Sequence, residues 1–508
     1  MPGIRISLLR PKQCPNNIKL ERSSKLKAAI TDLKPALVWE HFYQLSQIPR
    51  CSGNEEAAGK YIISVAARNN LPCKKDKSGN IIVSKPASSG MEQYPSIVLQ
   101  GHTDMVGEKN KNSAHDFLKD PINLLRDDEW IRADGTTLGS DNGIGVAYAL
   151  AVMEDKSLQH PAMEFLFTVD EETGLTGANA LKPDFVRSRI LLNLDSEEEG
   201  AFYIGCAGGK HTILRKKITW KKPKNGWKSY KISVGGLIGG HSGLNIHQGL
   251  GNSIKLLSRF LYNLGEKLDF ALSAVNGGSK HNAIPRDAEA LLCIPPAKTR
   301  TLQNFVKEMD AVFKNELQTI DGAVYVNIEP VQKIKVVFSP ELQRNLVNLL
   351  YAMPHGVISM SQAIAGLVET STNMAIVQTK EKQLELTTSQ RSSVASAILD
   401  IADKVKALGE LATFDVEQGG GYPAWQPNPN SQLLKSAIRV YEKINGSKPE
   451  VKAIHAGLEC GIIGEKYTGM DMLSFGPTIM GAHSPDERVH IPAVEKTWNF
   501  LLELLKTA

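Results

Sequence analysis

Five short stretches carry the residue types that hydrolytic and metal chemistry need. His102 and Asp104 close the run Ser96-Ile-Val-Leu-Gln-Gly-His-Thr-Asp104. Asp141 follows the glycine-spaced segment Gly135-Thr-Thr-Leu-Gly-Ser140. Asp170, Glu171 and Glu172 are consecutive, Asp195 opens Asp-Ser-Glu-Glu-Glu-Gly200, and His483 stands in Gly481-Ala-His-Ser-Pro-Asp-Glu487. Two imidazoles with several carboxylates are nitrogen and oxygen ligands, suited to Zn²⁺ and less selectively to Mn²⁺ or Co²⁺. Taken one at a time, each has a plainer reading. His-x-Asp is a short pattern, Asp before a helix is an ordinary N-cap, and three adjacent acids make a solvated turn.

The elements that must position these residues make the plain readings harder to hold together. Ser96–Gln100, Met163–Val169, Arg189–Leu194 and Met472–Phe475 are short apolar runs that read as buried strands. Each runs into, or stops shortly before, a histidine or an acid. In open α/β sheets the carboxyl ends of strands are where ligands bind. Four such ends converging on one sheet edge would bring like charges together, which is strongly unfavourable unless a cation offsets them. Val146, Ala149, Leu150 and Met153 fall at helical spacing and put Asp141 at or just before a helix start, where three glycines suggest close backbone approach. Pro35–Ile48 and Asn54–Ala67 read as further helices.

A different region lies between Trp227 and about Phe414. Tyr230–Val234, Ala288–Cys293, Lys333–Phe338 and Gln383–Leu386 read as strands, and Asn252–Tyr262 and Val394–Leu408 as helices. The mixture suggests an antiparallel sheet with helices on one face. It contains the loop Gly235-Gly-Leu-Ile-Gly-Gly-His241-Ser-Gly243 and a faint internal echo, Asn282-Ala-Ile against Asn373-Met-Ala-Ile, that allows a duplicated α+β unit. His41, His115, His160, His211, His247, His355 and His490 fall in no motif and read as surface or core residues.

The whole chain sets bounds. At 508 residues it is too long for one simple core. Hydrophobic content of 42% with 22% charged residues is that of a soluble globular protein, and a net charge of +5 argues neither for nor against nucleic acid. The six cysteines are scattered with no Cys-x-x-Cys pair, which fits a reducing cytosol. No apolar run approaches the roughly 20 residues that span a bilayer. Residues 1–32 are expected to be a disordered basic extension, with an organelle-targeting segment as the alternative.

In order, Gly-His102-Thr-Asp104-Met-Val, Gly-Thr-Thr-Leu-Gly-Ser-Asp141-Asn-Gly-Ile-Gly, Glu171-Glu172-x-Gly, Asn-x-Asp195-Ser-Glu-Glu-Glu-Gly and Gly-x-His483-Ser-Pro-x-Glu resemble the cytosolic aminoacyl-histidine dipeptidases (Xaa-His dipeptidase, peptidase D) of the dinuclear-zinc exopeptidase superfamily. The resemblance runs from about Leu37 to the C-terminus. It implies an α/β fold, a zinc-exopeptidase-like catalytic domain with a mixed sheet flanked by helices, and an inserted α+β lid domain. The expected boundaries are 33–210 and 415–508 for the catalytic domain and 211–414 for the lid. Carried over residue by residue, it implies two Zn²⁺ per subunit, with Co²⁺ or Mn²⁺ as substitutes. Asp141 bridges them, His102 and Asp195 complete one site, and Glu172 and His483 the other. Glu171 is the general base and acid, and Asp104 supports His102. His241 matches an oxyanion donor from the lid. Asn282 and Arg286, with Arg391 as a weaker choice, hold the substrate carboxylate, and Glu459 accepts the free α-amino group. A cis peptide is expected after Asp141, and Asp170 is an extra acid that the pattern does not explain.

The implied activity is hydrolysis of dipeptides with a free amino terminus, including Xaa-His dipeptides, by a cytoplasmic metallopeptidase. Its partners are small dipeptides, not nucleic acid or a membrane, and a homodimer is left open. The alternatives are an N-acyl amino acid deacylase of the same superfamily and a catalytically silent peptide-binding homologue. An amino-group acceptor such as Glu459 argues against the first, and the complete ligand set with Glu171 against the second. In relatives with a small lid the oxyanion histidine comes from the partner subunit. A duplicated lid would mimic that dimer within one chain, so that His241 serves its own subunit.

Overall fold

The structure, a computed structural model, describes residues 29–507; residues 1–28, which carry most of the basic leader, and residue 508 lie outside the described residues. The chain divides into two compact units. The first takes the chain up to Tyr203, Asn430–Val451 and Lys466 onward; the second takes Ile204–Pro429 and Lys452–Glu465.

In the first unit the four apolar runs form four adjacent parallel strands. They are β1 (Ile97–His102), β2 (Met163–Thr168), β3 (Ile190–Asn193) and the strand Asp471–Ser474. The spatial order is β2, β1, β3, then Asp471–Ser474, all parallel, and Ile81–Lys85 pairs antiparallel with β2 to make the sheet mixed. Ile97, Val98, Leu99, Phe165, Phe167, Leu191 and Leu192 are wholly buried, as strands covered on both faces require. β1 runs on through His102 rather than stopping at Gln100, so the imidazole occupies the last strand position, beside Thr168 of β2. The helix α1 (Ser140–Glu154) packs along β1. It is helical except at Asp141 and Asn142, which are joined by a cis peptide bond. The N-cap position of this helix is Gly139, and the Asp141 carboxylate oxygens lie against His102 and His483 instead. The plain N-cap reading therefore fails.

The second unit holds a nine-stranded antiparallel sheet with a symmetry in its connections. Its elements in chain order are β4 (Gly208–Lys217), β5 (Lys228–Gly235), α2 (Ser253–Lys267), β6 (Ala271–Gly277), β7 (Ala288–Ile294), α3 (Thr299–Leu317), β8 (Tyr325–Pro330), α4 (Pro340–Ala352), β9 (Val368–Thr379), β10 (Gln383–Ser392), α5 (Ala395–Leu411) and β11 (Asp415–Tyr422). The spatial order is β8-β5-β7-β6-β9-β10-β4-β11, with the short strand Gly356–Met360 added beside β9. β5-α2-β6-β7-α3-β8 is one β-α-β-β-α-β unit. β4-α4-β9-β10-α5-β11 is a second, into which the first is inserted after β4. In strand positions the sheet reads 4-1-3-2-2-3-1-4, the same from either end. This is the duplication that the echo hinted at, but the echo does not mark it. Asn282 lies after the second strand of one copy, and Asn373 lies within the second strand of the other. The two do meet, since Asn373 Nδ2 donates to the Ala283 carbonyl at 2.8 Å.

The helices bury faces at helical spacing, such as Leu257, Phe260, Leu261 and Leu264 of α2, in one core with Ile232, Leu292, Leu214 and Leu386 of the sheet. The expected strand Lys333–Phe338 is reduced to Val337–Phe338, and the longer strand β8 precedes it. Its alternation of Lys and apolar residues places Ile334, Val337 and Trp227 in a small separate cluster instead.

Candidate metal centre

The strand ends of the first unit deliver their ligands to one place. Asp141 stands between two imidazoles, with Oδ1 at 3.1 Å from His102 Nε2 and Oδ2 at 3.2 Å from His483 Nε2. Asp195 Oδ1 lies 3.2 Å from His102 Nε2, and Glu172 Oε2 lies 3.0 Å from His483 Nε2. Two triads, His102–Asp141–Asp195 and His483–Asp141–Glu172, thus share one carboxylate. Each imidazole nitrogen faces two carboxylate oxygens at once, although a single ring N–H can serve only one of them well. Separations of 3.0–3.2 Å are close to the roughly 3.3 Å between neighbouring ligands about 2.0 Å from a tetrahedral ion. Glu172 Oε1 is buried with no hydrogen-bond partner. The donor set therefore fits two divalent transition-metal ions.

Asp104 fixes this array from behind. Its Oδ1 lies 3.2 Å from His102 Nδ1 and accepts the Glu171 amide at 3.1 Å, while Oδ2 accepts the Glu172 amide at 3.2 Å and the Ser52 hydroxyl at 2.8 Å. One buried carboxylate thus orients a ligand imidazole, as metal-bound histidines require, and indexes the Glu171–Glu172 turn against it. Burial alone would raise the Asp104 carboxyl, but His102, Ser52 and the Glu171 amide outweigh it and hold it well below the usual range. The carboxylate of Glu171 lies in one group with His102 and Glu172, ligand atoms all within 4.8 Å. Asp170, the unexplained acid, shapes the turn. It takes φ 52°, its amide donates to Glu55 Oε1 at 3.1 Å, and its carboxylate takes the Thr173 hydroxyl. His483 also takes a left-handed φ of 63°, a conformation that non-glycine residues rarely adopt and that clusters at functional sites.

Electrostatics follow from this crowding. Burial disfavours a charged His102, but Asp195, Asp104 and Asp141 outweigh it and hold its pKa well above the ordinary value. Hydrogen bonds to Asp141 and Glu172 raise His483 from 6.5 to about 11. Burial would raise Asp141, yet the two imidazoles hold it below the usual carboxylate range, whereas burial pushes Asp195 up to about 6. In the metal-free protein the surrounding carboxylates favour the protonated form of both imidazoles. A metal takes the neutral ring, so metal uptake at pH 7–8 is expected to release protons, readable by calorimetry in buffers of different ionisation enthalpy. Uptake without proton release contradicts the pairing. Both histidine pKa values are raised on folding. Their stabilisation is therefore complete below about pH 6.5 and is lost as pH rises above it, for His483 toward 11. The Tm of the metal-free protein should fall over that interval.

The second unit carries a separate polar array. Ser371, Arg391, Gly209 and Tyr422 are cross-strand neighbours in one row over β9, β10, β4 and β11. Leu386 and Leu214, an odd number of positions away, are in the core, so the row lies on the opposite face. Arg391 is 6% exposed. No acid is within ion-pair distance of it among the described residues. Its Nη1 donates to Tyr422 Oη at 2.6 Å, and its Nη2 is 3.5 Å from His241 Nε2. A Cβ on Gly209 would sit 2.7 Å from the Tyr422 ring, and one on Gly457 2.5 Å from its other edge. Two glycines therefore make room for the ring that braces Arg391. His241 Nδ1 accepts the Gly243 and Leu244 amides at 3.3 and 3.1 Å. The neutral ring then carries its proton on Nε2. Burial, with Arg391 and His281 nearby, holds this histidine neutral, at about 4. Arg391 Nη2 and His241 Nε2–H are two donors side by side, an arrangement that an anionic oxygen satisfies.

Asn282 and Arg286 line a cavity of about 910 Å³ together with His241. Asn282 is adjacent in the ladder, its carbonyl accepting the Ser242 amide at 2.8 Å, while Arg286 is exposed. Glu459 is fully buried at the first turn of the helix Glu459–Lys466. His455 bonds Ser371 at 2.7 Å, and His211 stacks edge-on to His281 with centroids 4.5 Å apart. His211, read from sequence as a surface or core residue, lies two positions from Gly209 on β4 and so on the same face as this row. Reading the sequence missed Arg50, Glu487 and Tyr422. Glu487 closes the quoted His483 motif, whereas nothing around Arg50 or Tyr422 signals a role.

Comparison with known proteins identifies the family. A model of the peptidase family M20/M25/M40 matches residues 98–507. The cytosol non-specific dipeptidase of Escherichia coli is 41% identical over 477 residues, covering 94% of this chain and 98% of that protein. The crystal structure of an aminoacylhistidine dipeptidase from Vibrio alginolyticus superposes with a TM-score of 0.88 at 40% identity, covering 95% of this chain and 99% of that one. The aminopeptidase PepT of Bacillus cereus shares the fold, with a TM-score of 0.54 at 15% identity over 93% of this chain and 98% of that one.

Proposed function

The chain is a metallopeptidase of family M20/M25/M40, and on that premise we propose that it hydrolyses dipeptides with a free amino terminus, Xaa-His dipeptides among them, with two zinc ions held at the shared Asp141. The observation that carries this reading is the pair of imidazole–carboxylate triads with Asp141 common to both. The substrate class is supported by the names of two relatives that match nearly the whole chain. The unit bearing the triads is the catalytic domain, and the other is the lid. A cytoplasmic site of action is supported by the name of the Escherichia coli relative. Among the described residues no helix is long and apolar enough to cross a membrane.

Two divalent ions held by these residues would supply an acidified water as nucleophile and polarisation of the scissile carbonyl. Glu171 accepts a proton from the attacking water and returns it to the leaving amine, the two-way transfer of general acid–base catalysis. Asp104 keeps the His102 proton on Nδ1 and its Nε2 lone pair free. His241, neutral and protonated on Nε2, is the donor to the developing oxyanion. Arg391 takes the substrate carboxylate, since a buried cation without an acid is costly until an anion pairs with it. Its burial makes it a better-founded choice than the exposed Arg286, which with Asn282 supplies outer contacts. Glu459 accepts the α-amino group.

Replacing Arg391 by Lys is expected to raise KM for dipeptides about tenfold or more, by loss of the paired charge-assisted hydrogen bonds, with a smaller change in kcat. An unchanged KM would remove Arg391 from this role. The duplicated sheet of the second unit supports a His241 that serves its own chain. Mixing His241→Ala and Glu171→Ala chains is then expected to restore no activity, and recovery would show exchange between subunits. The substrate reading is tested by histidine release from Xaa-His dipeptides and their N-acetylated counterparts. Cleavage of the free dipeptides alone is expected; cleavage of the acylated forms would make the protein a deacylase.

A further inference from the structure

We infer that Arg50 and Glu487 are positioning residues that clamp the segment Leu138–Asp141 and so hold Asp141 between the two triads; the inference rests on the dinuclear reading above. The clamp has a cationic and an anionic jaw, drawn from opposite ends of the chain. Arg50 is 2% exposed. Its Nη1 donates to the carbonyls of Thr103 at 3.0 Å and Asp104 at 2.8 Å, and its Nη2 donates to the Gly139 carbonyl. No carboxylate lies within ion-pair distance of it among the described residues. Three backbone dipoles hold this charge. Glu487, also 2% exposed, is surrounded by donors. Its Oε2 accepts the amides of Leu138 at 2.7 Å and Gly139 at 2.9 Å. Its Oε1 accepts the amides of Ser140 at 2.7 Å and Asp141 at 3.2 Å and the Ser140 hydroxyl at 2.6 Å.

The geometry reaches the metal ligands from three sides. Arg50 joins the backbone that follows His102 to the backbone that precedes Asp141. Glu487 joins that same backbone to the loop of His483, with its own amide donating to the Ser484 carbonyl at 3.1 Å. The Gly139–Asp141 backbone is held at the Gly139 carbonyl on one side and at its three amides on the other, which sets where Asp141 stands relative to both imidazoles. Two of the glycines near Asp141 are explained by the same guanidinium. A Cβ would fall 2.7 Å from Arg50 Nη2 at Gly139, where φ is 70°, and 2.6 Å from it at Gly143. Burying two charged groups this deeply is poor economy for stability alone, because apolar residues of similar volume would serve as well or better. Its use is to fix one carboxylate where both ions need it.

The test is zinc binding by Arg50→Lys and Glu487→Gln, measured by chelator competition with the ions counted. Wild-type protein should bind two ions. Each variant should bind the first nearly as wild type and the second about tenfold or more weakly, because a displaced Asp141 serves one site only. Failure of the wild type to take a second ion would overturn the dinuclear reading. Variants that hold the second ion within about twofold of wild type would overturn the clamp while leaving that reading intact. A residue needed only for stability would lower Tm without separating the two affinities. If neither variant folds, Ser140→Ala decides. It deletes one hydrogen bond to Glu487 and should weaken the second ion about threefold. An unchanged affinity in that variant would overturn the clamp.

Discussion

Replacing Glu171 by Gln is expected to lower kcat for dipeptide hydrolysis about 10²- to 10⁴-fold, with KM and bound metal nearly unchanged. Glutamine keeps the size of the side chain and can still hydrogen-bond, but it cannot accept and return a proton. The residue touches the ligand group without belonging to either triad, so its loss should leave the ions in place. The backbone amide of Glu171 is held by Asp104 Oδ1, and that bond is independent of the side chain. The measurement is steady-state kinetics with metal analysis on the same sample. A variant with near-normal kcat would remove Glu171 from proton transfer. A variant that loses metal would instead make it a ligand.

Replacing Asp141 by Ala should do more damage, because one residue serves both triads. Each imidazole would keep a single carboxylate, Asp195 for His102 and Glu172 for His483. Zinc content should fall below one ion per chain, and activity should fall further than in Glu171→Gln, since losing metal removes both the activated water and carbonyl polarisation. The comparison variant is His483→Ala, which strips one triad only and should retain one ion. Equal metal content in the two variants would contradict a shared bridging carboxylate.

Much of this site was legible because strand ends concentrate chemistry. The apolar runs before His102, Asp170 and Asp195 are too short and too continuous for surface elements, and each ends in a ligand type. Their adjacency as parallel strands could be expected from the sheet class alone. The shared role of Asp141 could not. Nothing in the sequence distinguishes a bridging carboxylate from a helix cap; the distinction lies in its two oxygens, which face two imidazoles. Long-range clamps are equally silent. Arg50 and Glu487 meet at Gly139 from 437 positions apart, and a guanidinium bonded to carbonyls leaves no local pattern. The duplicated sheet was legible only as composition. An echo of three residue types suggested it, whereas strand order and pairing reveal it at other positions. Lys333–Phe338 was misread because alternation over a few residues is also what a loop pinned by Ile334 and Val337 produces.

The central claim is that activity requires two ions sharing Asp141. It is tested most directly by adding zinc in steps to metal-free protein and recording dipeptide hydrolysis against bound ions per chain. Activity is predicted to stay low through the first equivalent and to reach its plateau at the second. A plateau at one ion per chain, or activity that does not depend on bound metal, would contradict it.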